Sequence, residues 1–268
     1  VLVGFYIWKI RSLSIAQDSD PNPGTKRLFA ARAWSATGMF FFGVFATFLF
    51  IDFFKALDYK WFSTMWGVYM FAGCAQASMA VLILTTILLR KHGMLNKVTS
   101  TEHLHTMGKL MFAFTIFWAY VAFSQFFLIW YADIPEETSF FFLRNTEGWN
   151  AVSIFLVFGH FALPFALLLP SWVKKKTATI VPICCWILMA HIVDLYWIVI
   201  PERGPSVNNF LHGNPGETPF ISGAFWGDII AFFAIGLCFV ALFIRNIRSA
   251  NLYPNRDPRL LESANLSN

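Results

Sequence analysis

The sequence predicts an all-α polytopic membrane protein: six complete transmembrane helices preceded by the remnant of another helix. Three observations predict it. Of the 268 residues, 57% are hydrophobic and only 13% charged, whereas a soluble domain carries about 25% charged residues. The apolar residues fall into six runs of the roughly 20 residues that a helix needs to cross the hydrocarbon layer. Lys and Arg gather in alternate connections between those runs. A net charge of +5 on a soluble chain would suggest nucleic acid. Here the basic residues punctuate apolar spans, so membrane topology explains them and no nucleic-acid partner is expected.

The elements follow in order. Residues 1–8 are apolar and break at Lys9 and Arg11. With no basic segment ahead of them they do not read as a signal peptide. They read as the last turns of a helix whose start lies upstream, so residues 1–33 form a helix remnant and a connection. The transmembrane region is 34–244, with spans at 34–54, 65–89, 110–131, 149–172, 177–200 and 220–244. Residues 245–268 are a polar tail punctuated by proline, expected at the surface.

Lys9, the connections 10–33, 90–109 and 171–176, and the tail carry 16 of the 20 Lys and Arg. Lys55, Lys60, Arg144 and Arg203 lie on the other side. The excess makes the first side cytoplasmic, the C-terminus with it, and turns 132–148 and 201–219 outward. Lys174–Lys176 then reads as a topology determinant, with a lipid-headgroup contact as the alternative. Trp61, Trp66, Trp130, Tyr131, Trp149, Trp172 and Trp226 fall near span ends, where amphipathic rings favour the interface.

Ionisable groups inside a bilayer cost several kcal/mol unless paired, so each needs a reason. Three lie near mid-span: His160, and the pair His191 and Asp194. Asp228 lies about two turns into the last span, and Gln125 sits within the third. His191 and Asp194 are three residues apart, on one helix face. A carboxylate there can fix the imidazole tautomer and raise its pKa, which suits proton transfer. The same pair suits a satisfied buried contact gluing helices together. Pro164 lies four residues after His160 and predicts a bend there, because it cannot donate to the His160 carbonyl.

His160 and His191, on consecutive spans at similar depth, would also serve as the two ligands of one haem. Pro164 as a helix break leaves a secondary transporter open as well. His92, His103, His105 and His212 fall in connections and read as solvated. Cys74, Cys184, Cys185 and Cys238 lie in apolar stretches with no metal-ligand spacing, so they read as small buried hydrophobes and no metal site is expected.

Two segments carry a resemblance: FSQFFLIWYADIPEET (123–138), followed by Trp149, and HIVDLYWIVIPE (191–202). With the charge pattern, they resemble the polysulfide-reductase-like (NrfD-type) membrane subunits of alternative complex III, a bacterial quinol:cytochrome c oxidoreductase. The likeness is closer to the second, shorter of its two such subunits and runs over residues 34–244. It implies NrfD-like helical bundles with ten spans in a full-length subunit, of which six are here. It implies the bacterial inner membrane, no redox cofactor on this chain, and quinone or quinol as the small molecule handled.

The implied partners are a multihaem cytochrome c subunit and an iron–sulfur subunit, which carry the haem c and the iron–sulfur clusters, a second NrfD-like subunit, small membrane subunits and lipids. His160, His191, Asp194, Asp228 and Gln125 become candidates for a proton path or quinone site. Glu136 and Glu137 become candidates for docking a partner.

Overall fold

A computed structural model describes residues 2–58, 61–96, 98–202, 225–249, 251–253, 255–258, 260 and 262. The connection 203–224, with His212 and Arg203, lies outside them. The described residues are helical with no strand. Six helices are long and apolar enough to cross a membrane, one for each predicted run. The protein is a polytopic α-helical membrane protein, as the hydropathy requires: with no water to take up peptide groups, a spanning segment must bond its own backbone.

The chain forms two compact units, 1–45 with 221–265, and 46–220 with 266–268. In the first, helix α1 spans Leu2–Ser19 and runs past the break expected at Lys9. Lys9 stays within the helix with its ammonium 5.7 Å from the Trp34 ring centre. Helix α2, Lys26–Phe53, begins in this unit after a short turn and continues into the second; its Arg27 pairs with Asp20 of the turn at 2.5 Å. The last helix, α10 (Phe225–Arg248), buries none of its residues within the chain.

The second unit holds α3 (Trp66–Lys91), α4 (Thr101–Ala132), α5 (Pro135–Leu143), α6 (Glu147–Phe155), α7 (Leu163–Leu168), α8 (Ser171–Lys175) and α9 (Thr177–Val199). Helix α3 packs on α4 and α9; α4 packs on α7, and α6 on α9. Helix α4 starts nine residues before its predicted span. Ser100 accepts from the His103 backbone while the His103 ring accepts from the Ser100 N–H at 3.0 Å, a reciprocal cap. His103 and His105 therefore belong to the first turns of a helix rather than to a loop.

Residues 156–162 form a π-helical turn between α6 and α7. The bend expected at Pro164 takes this form. Leu163 donates to Phe158, five residues back. In that register the next donor would be Pro164 to Gly159, and proline has none. The orphaned Gly159 carbonyl accepts instead from Trp186 Nε1 at 2.7 Å.

Several side chains differ from their expected surroundings. Trp61, Trp66 and Trp149 are buried in the core, whereas Trp130, Tyr131, Trp172 and Trp226 are exposed as interface rings would be. Burial of the first three follows from α5 and the 200–202 turn folding over that end of the bundle. Cys184 is buried against Met111, but Cys185 and Cys238 face outward from apolar helices.

Lys174 is buried as well, not solvated. It donates to the Leu168 carbonyl and, at 3.3 Å, to Leu169 and Pro170. Those carbonyls end α7 and have no further turn to bond. Burial pulls the Lys174 pKa below the ordinary lysine value, and Lys109 adds to the effect.

Candidate functional site

Two of the apolar clusters in the second unit frame the site. One gathers Trp61, Trp66, Tyr69, Trp118, Phe140 and Ile198. The other gathers Ile83, Leu104, Met111, Leu168, Ile180 and Ile187. Between them the sequence of α3, α4 and α9 places polar groups at one level.

Asp194 is the centre of that layer and is 1% exposed. Its Oδ1 accepts from Tyr69 Oη at 2.5 Å and its Oδ2 from Trp118 Nε1 at 3.2 Å. His191 Nδ1 stands 3.8 Å from Oδ2, beyond a hydrogen bond. The i,i+3 spacing puts both residues on one face, but the carboxylate is held chiefly by the neighbouring helices. Gly73 makes room for this: a Cβ there would lie 2.8 Å from His191 Cε1. One turn along α3, Gln76 Nε2 donates to Thr115 Oγ1 at 3.0 Å, and Thr115 donates to the Met111 carbonyl.

His160 sits in the π turn, fully buried. Its ring centre lies 4.1 Å from that of Trp118 and 6.0 Å from that of His191. Neither of its nitrogens has a hydrogen-bond partner among the described residues. The structure thus brings His160, His191 and Asp194 together, and adds Tyr69, Trp118, Gln76 and Thr115. Asp228 is on α10, in the other unit.

The Asp194 donors have a second role. Tyr69 and Trp118 also line a cavity of about 770 Å³ on the side toward α5. Helix α4 contributes Ala119, Ala122, Phe126 and Ile129, spaced by three and four and so on one face, with Gln125 one turn beyond Ala122 and Asp133 just past the helix end. Opposite stand Asn150, Ser153, Leu156, Val157 and Phe161 of α6 and the π turn. Phe140 and Phe141 of α5 form the end wall. Gln125, a candidate from sequence, belongs to this cavity and not to the Asp194 layer.

Arg144, read from sequence only as an outer-side charge, is 1% exposed. It donates to the carbonyls of Phe140, Trp197 and Ile198 at 2.8–3.1 Å and pairs with Glu202 at 2.8 Å. Its guanidinium lies 3.4 Å from the Phe140 ring centre. Burial pulls its pKa down to about 10 against the pull of Glu202. No sequence signal marked it, because its partner lies 58 residues away.

The turn expected at Ile134–Pro135 is present. Asp133 adopts a left-handed conformation, φ 50°, Ile134 is extended, and Pro135 opens α5. Glu136 and Glu137 occupy the first turn of α5, where the helix dipole favours acidic groups. Glu136 is exposed, and the Glu137 carbonyl accepts from Trp61 Nε1 at 2.9 Å.

A haem between His160 and His191 would need a porphyrin-sized slot between the rings. Trp118 packs on one ring and Gly73 on the other, and neither histidine is among the described residues lining the cavity, so that group does not fit here. Among the described residues, no three His, Cys, Asp or Glu side chains gather to hold a metal ion.

The fold and site define an integral membrane protein with a buried carboxylate layer beside an aromatic cavity. The sequence matches no protein-family model, and no curated protein matches it.

Proposed function

We propose that this chain is an integral membrane subunit of a bacterial respiratory quinol-oxidising complex, an NrfD-type subunit of the alternative complex III kind, with its C-terminus cytoplasmic. Its partners in this reading are a multihaem cytochrome c subunit, an iron–sulfur subunit, a second NrfD-like subunit and small membrane subunits. They carry the haem and the iron–sulfur clusters, while this chain contributes quinone-site structure and a proton path.

One observation supports it above the others: a buried carboxylate, Asp194, is held by Tyr69 and Trp118, and the same two rings wall a cavity large enough for a small lipid-soluble molecule. Quinol oxidation releases protons, so an acceptor beside the ligand's space is the chemistry required. His191, beside Asp194, and His160, beside His191, extend the layer of groups able to take a proton.

The test is Asp194→Asn in the assembled complex, which keeps the shape and the acceptor for Tyr69 while removing titration. Quinol oxidation and proton release are expected to fall together with assembly unchanged. Wild-type values for both would leave Asp194 as helix glue and end the proposal.

A further inference from the structure

The cavity has a chemical character that narrows its occupant. Its α4 wall is floored by two alanines, Ala119 and Ala122, one turn apart between Trp118 and Phe126. The missing bulk at these two positions leaves flat room next to the Trp118 and Tyr69 rings. The rims are Phe123, Phe126 and Trp130 on α4 and Ile154 and Val157 across from them, all exposed and apolar. A molecule dissolved in the hydrocarbon layer therefore meets no polar barrier at the gap between α4 and α6.

Charge decides the rest. Among the described residues lining the cavity, Arg144 is the one cation, and its guanidinium is already held by three carbonyls and Glu202. Asp133 adds a carboxylate at the loop end. An anionic headgroup would find no free partner and one repelling group. Neutral donors and acceptors are present: Gln125, Asn145 and Asn150. A few polar groups in an aromatic pocket orient a ligand without demanding charge on it.

We propose that the cavity takes an uncharged, lipid-soluble ring compound that enters sideways from the bilayer between α4 and α6, and that Ala119 and Ala122 are its size-determining residues. The inference rests on reading this cavity as the ligand's place, and it adds route, charge and the residues that select. The ring lies against Trp118 and Tyr69, with its oxygens toward the neutral amides.

The full chain in lipid nanodiscs provides the test, with tryptophan fluorescence as the readout, since Trp66, Trp118, Trp130 and Trp197 line the cavity. The probes are a short-tailed benzoquinone and an anthraquinone sulfonate, uncharged and anionic ring compounds respectively. Saturable quenching by the first is expected, with the second weaker by at least about tenfold, since a buried unpaired charge costs more than 1.4 kcal/mol.

Ala122→Phe should weaken quenching by the first about ten- to a hundredfold, as overfilling a packed space does, while Ala113→Phe on the outward face of α4 leaves it unchanged. Non-saturable quenching, equal quenching by the anionic ring, or an unaffected Ala122→Phe chain would overturn the proposal. The wild-type comparison of the two probes holds even if Ala122→Phe does not fold. Binding here without quinol oxidation by the assembled complex would remove the respiratory reading and leave this one standing. Oxidation without saturable binding here would remove this one alone.

Discussion

The two ends of the second unit are packed differently. Around Ile83, Met111, Leu168, Ile180 and Ile187 the core is aliphatic, and each of these side chains is fully buried. Around Trp66, Tyr69, Trp118 and Phe140 it is aromatic, and beside it lies the 770 Å³ cavity. Branched aliphatic chains interdigitate and close; rigid rings meet edge to face, as Trp61 and Trp66 do at 81°, and they carry N–H and O–H groups that need partners. Close packing and an open cavity lie at opposite ends of one bundle, with the Asp194 layer between them.

The comparison breaks most severely at Arg144. Arg144→Met would leave Glu202 buried without its partner, a loss of about 3–5 kcal/mol. Thermal unfolding in detergent, followed by tryptophan fluorescence, should show a large drop. Arg144→Met with Glu202→Leu should recover most of it, because no lone charge remains. A single variant as stable as wild type would mean that this end is not fastened by the ion pair.

Next comes the closed end. Ile187→Ala is expected to cost about 2–4 kcal/mol, the loss of contacts plus an unfilled void. Val157→Ala, beside a cavity that is open already, should cost less than about 1 kcal/mol. Equal losses in the same melting experiment would erase the difference between the two ends.

Trp118→Phe sharpens the comparison at the layer itself. It keeps the ring beside His160 but removes the donor to Asp194, for about 0.6–1.7 kcal/mol, the range of hydrogen bonds inside membrane bundles. A carboxylate infrared band that does not move in this variant would show that the indole does not hold Asp194. The smallest effect is at the surface. Glu136→Gln with Glu137→Gln should cost about 0.3–1 kcal/mol through the α5 dipole. If these residues dock a partner subunit, their reversal to lysine should also lower recovery of the intact complex, and undiminished recovery would discard docking.

The six spans, their all-α class and the presence of His160, His191 and Asp194 were legible in the sequence. Hydrophobicity acts residue by residue and needs no partner to be read, and a charged group in an apolar run announces its own cost. The i,i+3 spacing of His191 and Asp194 was legible for the same reason: it is a property of one helix.

What only the tertiary structure decided is where each of those groups finds its counterpart. Tyr69 and Trp118 read as two more aromatics among many until α3 and α4 bring them to Asp194. Lys174 and Arg144 read as topology signals until the end of α7 and the turn at Glu202 fold over them. The cavity lies where α4 packs on α7 and the π turn but not closely on α6, and a gap between helices has no residue of its own to mark it. Burial of apolar surface is a local quantity, whereas hydrogen-bond and ion-pair partners 53–125 residues apart are fixed only by how the helices pack.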